Sequence, residues 1–264
     1  MIHSVAKAIE VLGTFSAENP RLSLAEIARR RALPKSTTHN ILATLAAYRL
    51  VEKLEDDTYA LGTGLISLTQ GVRVNVELRD RAAPLLRQLA DDTRESVYLT
   101  VLDAGQSLYI YAVESPRRLL ARSVVGERVP LHCTGVGKAT LAALCDDEVE
   151  RIVGHAGLPR FTASTITSLS ELLGDLRRTR VRGYSLDSAE HEEDTYCIGC
   201  PILDDRGRVI GACSVSGPDP EIVGSKVASW SALVRQTAQE ISRRMGYVPG
   251  SVQALAGIMP GHKA

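Results

Sequence analysis

The stretch S-L-A-E-I-A-R-R-R-A-L-P-K-S-T-T-H-N-I-L-A-T-L, from Ser23 to Leu45, decides the fold of the N-terminal part of the chain. Ser23 is followed three residues later by Glu26, and this capping box predicts that a helix begins at Leu24. Pro34 stands at the start of a second helix, predicted over Lys35–Tyr48, where its missing N–H costs nothing. Two short helices joined by a tight basic turn are typical of a DNA-binding helix-turn-helix unit.

The second helix of this unit is predicted to have one apolar face and one face of small polar side chains. Thr38, Ile41, Leu42 and Leu45 recur at helical spacing and form the apolar face. On the other face an Asn can read adenine bidentately, and groups at the helix N-terminus can bind a phosphate. A polar surface helix without a DNA role is the alternative. The predicted DNA-contacting residues are Arg31, Lys35, Ser36, Thr37, His39 and Asn40.

Two short strand-like runs follow, Leu50–Lys53 and Thr58–Leu61, and they predict the wing of a winged helix-turn-helix. Their acidic tip, Glu55–Asp57, is a poor partner for a phosphate backbone. A first helix, capped by Ser4, is predicted before the unit. Residues from Leu61 to Val72 continue as a helix, which we interpret as a linker.

The totals limit the class of protein. The chain has 264 residues with 31 Lys plus Arg and 31 Asp plus Glu, so its formal net charge is zero. A nucleic-acid binder is often basic overall, so this balance mildly opposes DNA binding. However, four basic residues fall between Arg29 and Lys35, which makes the turn locally positive. Five Cys, an odd number, and the lack of a secretory or membrane-spanning segment predict free thiols in a cytoplasmic protein.

From Leu78 the chain alternates hairpins with helices. Ser96–Val113 and Tyr196–Ser216 each contain two alternating runs around a polar turn, which predicts two β-hairpins. A further strand is predicted at Leu119–Val125. Helices are predicted at Arg79–Thr93, at Gly135–Leu144, from a cap at Asp146, from the capping box Ser168-x-x-Glu171 to Gly183, and at Lys226–Met245.

Several motifs in a fixed order resemble the IclR family of bacterial transcriptional regulators. They are the winged helix, P-L-H-C-T-G-V-G-K-A (Pro130–Ala139), G-Y-S-L-D-S-A-E-H-E-E (Gly183–Glu193), C-I-G-C-P-I (Cys197–Ile202) and S-V-S-G-P (Ser214–Pro218). The resemblance spans about Ser4 to Gly246. It implies a GAF-like effector domain, operator binding as dimers or tetramers, and a response to small organic acids. His39-Asn40 stands where relatives often carry Arg, so the operator sequence is not inferred.

The resemblance also implies an effector site. Backbone N–H groups at the helix start suit a carboxylate, and hydroxyls two residues apart on a strand point to the same face. Val129, Leu131 and Ala121 are expected to supply apolar walls. The predicted effector-binding residues are Gly135, Val136, Asp187, Cys197, Ser214 and Ser216.

The cysteines leave a second interpretation open, a GAF-type thiol-dependent redox enzyme such as a sulfoxide reductase. In it Cys197 would be the nucleophile and Cys200 or Cys213 the resolving thiol. On a strand, however, a spacing of three puts Cys197 and Cys200 on opposite faces, unlike the knuckle of a zinc site. A metal site would need His132, Cys133 and His191 to converge on them.

The predicted architecture is α+β in four parts. They are a winged helix-turn-helix at 1–62, a linker helix at 63–77, a GAF-like effector domain with a mostly antiparallel sheet at 78–248, and a mobile tail at 249–264. We predict a sequence-specific DNA-binding transcriptional regulator, with repression favoured, and not an enzyme. The expected partners are double-stranded operator DNA, a small carboxylic-acid effector and further copies of the chain in a homodimer or homotetramer. No cofactor, metal or membrane is expected.

Overall fold

The computed structural model describes residues 1–16, 19–69, 73–115 and 125–249. The chain divides into two compact units, with the division between Val76 and Glu77. The strand predicted at Leu119–Val125, up to position 124, lies outside the described residues. So do Ala121 and the tail beyond position 249. Within the described residues, no helix is long and apolar enough to span a membrane.

The first unit is a small helical core backed by a three-stranded antiparallel sheet. Its helices are α1 His3–Leu12, α2 Leu24–Arg30, α3 Lys35–Ala47 and α4 Gly64–Thr69. Its strands are β1 Leu22–Ser23, β2 Val51–Lys53 and β3 Thr58–Leu61, in the order β1-β3-β2. Val11, Ile27, Leu42 and Val51 are almost fully buried at the centre. This is the predicted winged helix-turn-helix with one additional strand, β1.

Capping explains where α2 begins but not where α1 begins. Ser23 Oγ accepts a hydrogen bond from the Glu26 N–H, and Glu26 Oε2 accepts one from the Ser23 N–H at 2.8 Å, which confirms the capping box. The prediction that Ser4 caps α1 was wrong. Helix α1 begins one residue earlier, at His3, and its N-cap residue Ile2 makes no side-chain hydrogen bond. Packing of Val11 against the core, rather than a cap, fixes this helix.

The long helix α5 spans Arg73–Thr93 without interruption. The sequence prediction began this helix at Arg79, which was wrong, because the helix begins at Arg73. No Gly or Pro lies between Arg73 and Arg79, and an i, i+4 ion pair joins Glu77 to Arg81 at 2.6 Å. The helix therefore has no local reason to stop there.

The second unit is built on a six-stranded antiparallel sheet in the order β6-β5-β4-β9-β8-β7. Its strands are β4 Ser96–Asp103, β5 Gln106–Val113, β6 Arg128–Val129, β7 Ser185–Ser188, β8 Tyr196–Leu203 and β9 Val209–Gly217. The β4–β5 and β8–β9 hairpins confirm the two predicted from alternation. Ala104 and Gly105 both have positive φ angles at the first turn, as a two-residue hairpin loop requires.

Helices cover both faces of this sheet. Helices α5 and α9, the latter Val227–Arg244, pack on one face together with a short 3-10 helix, Pro220–Ile222. Leu86, Ile198 and Ile241 are buried in the main core on this face. The other face carries α6 Gly135–Ala142, α7 Asp146–Ala156 and α8 Leu169–Arg182. Helix α7 begins at Asp146 but has Cys145 as its N-cap residue, so the predicted Asp146 cap was wrong. Gly183 ends α8 in the left-handed conformation, as predicted.

Candidate DNA interface and effector site

Helix α3 presents a polar face to solvent. Lys35, Ser36, His39 and Asn40 are exposed, and Thr37 is half-buried. On the opposite face Thr38, which is fully buried, donates to the Pro34 carbonyl at 3.1 Å. Small side chains on the exposed face let a helix enter the major groove of DNA. Four of the six predicted DNA-contacting residues are therefore exposed on the first turns of α3, and Thr37 is partly accessible beside them.

The sixth residue, Arg31, is already engaged within the protein. Its Nε donates to Thr14 Oγ1 at 2.8 Å, and Thr14 in turn donates to the Glu10 carbonyl. Arg31 stands directly after α2, next to the basic turn, and is half-buried. The guanidinium is thus held just beyond the C-terminal end of α1, so that only its terminal nitrogens could reach a phosphate.

The acidic charge at the tip of the wing is only partly neutralised within the protein. Lys53 pairs with Asp57 at 2.6 Å, and Asp56 accepts hydrogen bonds from the Thr58 N–H and hydroxyl. These hydrogen bonds hold the pKa of Asp56 below its usual value, so the tip stays acidic. The structure therefore gives the wing little positive charge with which to bind a DNA backbone.

The second unit encloses a cavity that brings together all six predicted effector-binding residues. The cavity is open to solvent at its mouth. Gly135 and Val136 come from α6, Asp187 from β7, and Cys197 from β8. The complete lining is Tyr98, Tyr109, Glu127, Val129, Thr134, Gly135, Val136, Asp187, His191, Glu192, Thr195, Cys197, Ser214 and Ser216.

One end of the cavity is the N-terminus of α6. Thr134 caps this helix: its Oγ1 accepts from the Gly137 N–H at 3.1 Å and donates to the Pro130 carbonyl at 2.7 Å. The cap does not use the N–H groups of Gly135 and Val136, which precede Gly137. Such N–H groups, together with the positive end of a helix dipole, are chemically suited to an anion.

The floor of the cavity is the β8–β9 ladder. Cys197 lies directly opposite Ser216, and its thiol donates to Ser216 Oγ at 3.0 Å. Ser214 lies two residues before Ser216, so its side chain points to the same face of the sheet. The floor thus offers two hydroxyls and a thiol, each able to donate or accept a hydrogen bond.

Asp187 supplies a buried carboxyl at the cavity wall. Its Oδ1 accepts a hydrogen bond from the Glu190 N–H at 2.9 Å. Burial raises the pKa of Asp187 to about 7, although this hydrogen bond opposes the shift. The carboxyl can therefore donate a hydrogen bond when protonated and accept one when ionised, near neutral pH.

Two tyrosines that were not predicted from the sequence complete the cavity, Tyr98 and Tyr109. The rings of Tyr98 and Tyr109 meet edge to face with centroids 5.3 Å apart. Burial raises the pKa of Tyr109, so its hydroxyl stays protonated. Alternation along β4 carried the signal for Tyr98, because Tyr98 lies between Val97 and Leu99 and so points to the opposite face of the sheet. Tyr109 lies near a bulge that shifts the register between Leu99 and Thr100.

The predicted apolar walls divide between two places. Val129 lines the cavity as expected. Leu131 does not, because it packs in a separate core with Leu141, Leu172 and other residues of α6, α7 and α8. The segment between β7 and β8 supplies polar walls that were not predicted: His191, Glu192 and Thr195.

Three cysteines of the sheet, Cys197, Cys200 and Cys213, are buried in two different environments, whereas Cys145 is exposed. Cys197 faces the cavity, whereas Cys200 lies in the main core opposite Cys213 on β9, so the predicted opposite orientation is confirmed. Burial raises the pKa of all three thiols, and that of Cys213 to about 12. Such thiols are protonated and poorly nucleophilic. Across the ranges given above, no three His, Cys, Asp or Glu side chains cluster to hold a metal ion.

A winged helix joined to a domain of this architecture defines a helix-turn-helix transcriptional regulator, and comparison with known proteins gives the family. Residues 4–55 match the IclR helix-turn-helix domain, and residues 70–243 match the C-terminal domain of the bacterial transcriptional regulator IclR. The chain therefore belongs to the IclR family.

Individual relatives span nearly the whole chain. The transcriptional regulator XynR of Escherichia coli is 30% identical over 94% of this chain and 98% of its own length. The transcriptional repressor IclR of Escherichia coli is 29% identical over 93% and 90%. An IclR homologue from Microbacterium hydrocarbonoxydans, whose crystal structure is a complex with 4-hydroxybenzoate, superposes with a TM-score of 0.83 at 25% identity, over 92% of this chain and 98% of its own.

Proposed function

We propose that this protein is a cytoplasmic, sequence-specific DNA-binding repressor, controlled by a small organic acid that binds in the cavity of its second unit. The observation that carries the proposal is the convergence of six residues from four separate segments on one cavity. Helix N–H groups at one end and hydroxyl, thiol and carboxyl groups along the walls suit a small acid with further polar groups. Repression is supported by the relative named as a repressor, and an acid ligand by the homologue bound to 4-hydroxybenzoate.

DNA recognition is assigned to the exposed edge of α3. Asn40 and Ser36 would face base edges, and Lys35 would contact a phosphate near the helix N-terminus. Arg31, Thr37 and His39 would complete the contacts. The binding unit is close to neutral, with eight Lys or Arg and seven Asp or Glu in residues 1–60. Its nonspecific affinity should be modest, so two heads acting together would supply much of the total affinity.

We propose that an exposed apolar stripe on α1 packs against a second copy of the chain. Val5 is 53% exposed and Ile9 is 64% exposed, one helical turn apart, and Ile2 precedes them. Such a stripe is unusual for an isolated head and suits a homodimer, or a homotetramer built from two dimers. Sedimentation equilibrium of the full chain should give a dimer or tetramer mass, and a monomer at micromolar concentration would contradict this assignment.

The DNA assignment is tested by mobility-shift titrations with the DNA upstream of the gene itself and of its neighbours. Asn40→Ala should reduce discrimination between the selected site and a mutated site, because a base contact is lost. Lys35→Ala should weaken binding to both sites similarly and lower the salt dependence by about one charge. Absence of any specific complex, with or without metabolites, would overturn the proposed function.

The effector assignment is tested by a thermal-shift screen of small carboxylic acids that includes 4-hydroxybenzoate. A ligand that binds only the folded state raises the unfolding temperature. Ser214→Ala combined with Ser216→Ala should abolish the shift for any acid that binds, because two cavity hydroxyls are lost. An equal shift in this variant would place the ligand elsewhere.

A further inference from the structure

Lys138 is a lysine with almost no access to solvent. It lies on α6, three residues after Gly135, and only 1% of the residue is exposed. A buried ammonium group is costly unless it is paired with carboxylates of good geometry. The proposed function does not use this side chain, so its burial needs a separate explanation.

Two carboxylates pair with Lys138, and they come from different parts of the second unit. The Nζ atom lies 2.5 Å from Glu190 Oε1 and 3.1 Å from Asp175 Oδ2. Asp175 belongs to α8 and also pairs with Arg178 at 3.2 Å. Glu190 belongs to the segment between β7 and β8, which we call the wall segment (residues 189–195). One ammonium group therefore ties α6 both to a neighbouring helix and to the wall segment.

The tie at Glu190 continues directly to the cavity. The Glu190 N–H donates to Asp187 Oδ1, and its carbonyl accepts a hydrogen bond from Thr165 Oγ1 at 2.6 Å. Further along, the same segment contributes His191, Glu192 and Thr195 to the cavity lining. The position of Glu190 thus fixes both a cavity carboxyl and the start of a cavity wall.

Lys138 is the charged partner that holds the Glu190 side chain. Glu190 Oε2 is buried, and no residue in the described ranges donates a hydrogen bond to it. Burial raises the pKa of Glu190, and the attraction of Lys138 opposes this shift. Asp175 differs, because Arg178 remains beside it when the lysine contact is lost.

We propose that the Lys138–Glu190 ion pair is a latch that holds the wall segment against α6, and that Lys138 is a positioning residue for the effector cavity. Because Lys138 and the N–H groups of Gly135 and Val136 belong to one helix, the latch fixes the distance between the anion-binding end and the polar wall. Release of the latch would open the cavity towards the Cys197 thiol. Only the description of the cavity as an effector site rests on the proposed function.

A matched pair of variants separates the latch from a general structural role. Glu190→Gln removes the charge of the wall segment and keeps the side-chain size and the backbone hydrogen bonds. Asp175→Asn makes the same chemical change on the other partner of Lys138. The readout is the rate of N-ethylmaleimide alkylation of Cys197, with Cys213 as the core reference in the same molecule, resolved by peptide mass spectrometry. No effector is needed, so the result is independent of whether the acid screen succeeds.

We expect Glu190→Gln to speed Cys197 alkylation about tenfold or more, as loss of a charge-assisted hydrogen bond shifts local opening, with Cys213 unchanged. Amide exchange in residues 186–196 should speed up in parallel. Asp175→Asn should leave the Cys197 alkylation rate within about twofold of the wild-type rate, because the Lys138–Glu190 ion pair is retained. Equal acceleration by the two variants, or none by Glu190→Gln, would overturn the proposal. If Glu190→Gln does not fold, Glu190→Asp replaces it: an unchanged Cys197 rate in this shorter carboxylate variant would equally overturn it.

Discussion

Gly135 and Cys197 approach so closely that a Cβ atom at position 135 would lie 2.8 Å from Cys197 Cβ. The approach is reciprocal, because a Cβ atom at Gly199 would lie 2.4 Å from the Gly135 carbonyl oxygen. The first turn of α6 therefore rests directly on the backbone of β8. This contact places the N–H groups of Gly135 and Val136 beside the hydroxyls and the thiol of the cavity floor.

This contact predicts that Gly199→Ala separates α6 from the sheet. A methyl group against a backbone oxygen cannot be relieved by a side-chain rotation, so we expect a loss of about 2–3 kcal/mol in the free energy of unfolding. Any acid-induced thermal shift should also disappear. Urea denaturation measures the first effect and the acid screen the second.

The matched control for Gly199 is Gly154 on α7, where an added Cβ meets nothing within 4 Å. Gly154→Ala should stabilise the protein by up to about 1 kcal/mol through helix propensity. A Gly199→Ala variant as stable as wild type would show that α6 does not depend on this approach.

The buried carboxyl of Asp187 predicts a pH dependence of stability. Its pKa rises to about 7 in the folded protein, from 3.8 for the ordinary carboxyl. Between these two pH values the unfolded chain has released the proton that the folded chain retains, so stability falls as pH rises. Asp187→Asn should flatten this decline, because asparagine does not titrate. Its amide oxygen can still accept the hydrogen bond from the Glu190 N–H, so the local structure is kept.

Thermal unfolding of wild type and Asp187→Asn across pH 4–8 measures this effect. The variant should gain stability relative to wild type from about pH 4 upward and level off above about pH 7. A difference between the two proteins that stays constant over this range would contradict a buried, proton-holding Asp187.

The capping box predicts a local loss of stability in the DNA-binding unit. Ser23→Ala removes the acceptor of the Glu26 N–H and should cost about 1 kcal/mol. Ser4→Ala is the control, because Ser4 is exposed and caps nothing, and it should change stability by less than about 0.5 kcal/mol. Amide exchange measured in α2 and α3 reports the stability of the first unit separately from that of the second. Equal effects of Ser23→Ala and Ser4→Ala would argue against the capping box.

The sequence by itself determined what depends on neighbours along the chain. Ser23 and Glu26 define a helix start within one turn. Alternation defines the two hairpins, and a spacing of two places Ser214 and Ser216 on the same face. Six cavity residues were predictable because the family motifs hold each of them in a recognisable short segment. Their convergence on one cavity was implied by resemblance and not by spacing.

Only the tertiary structure decided what depends on contacts between distant segments. Ser4 and Asp146 were predicted as N-caps. Instead, α1 begins at His3 and is held by packing, and the N-cap residue of α7 is Cys145. Arg31 was predicted to contact DNA, but in the structure its Nε donates to Thr14 Oγ1, just beyond the end of α1, at 2.8 Å. Lys138 reads as a surface residue in the sequence. It is buried because Glu190, 52 positions away, and Asp175 on α8 supply the opposite charges that make its burial possible.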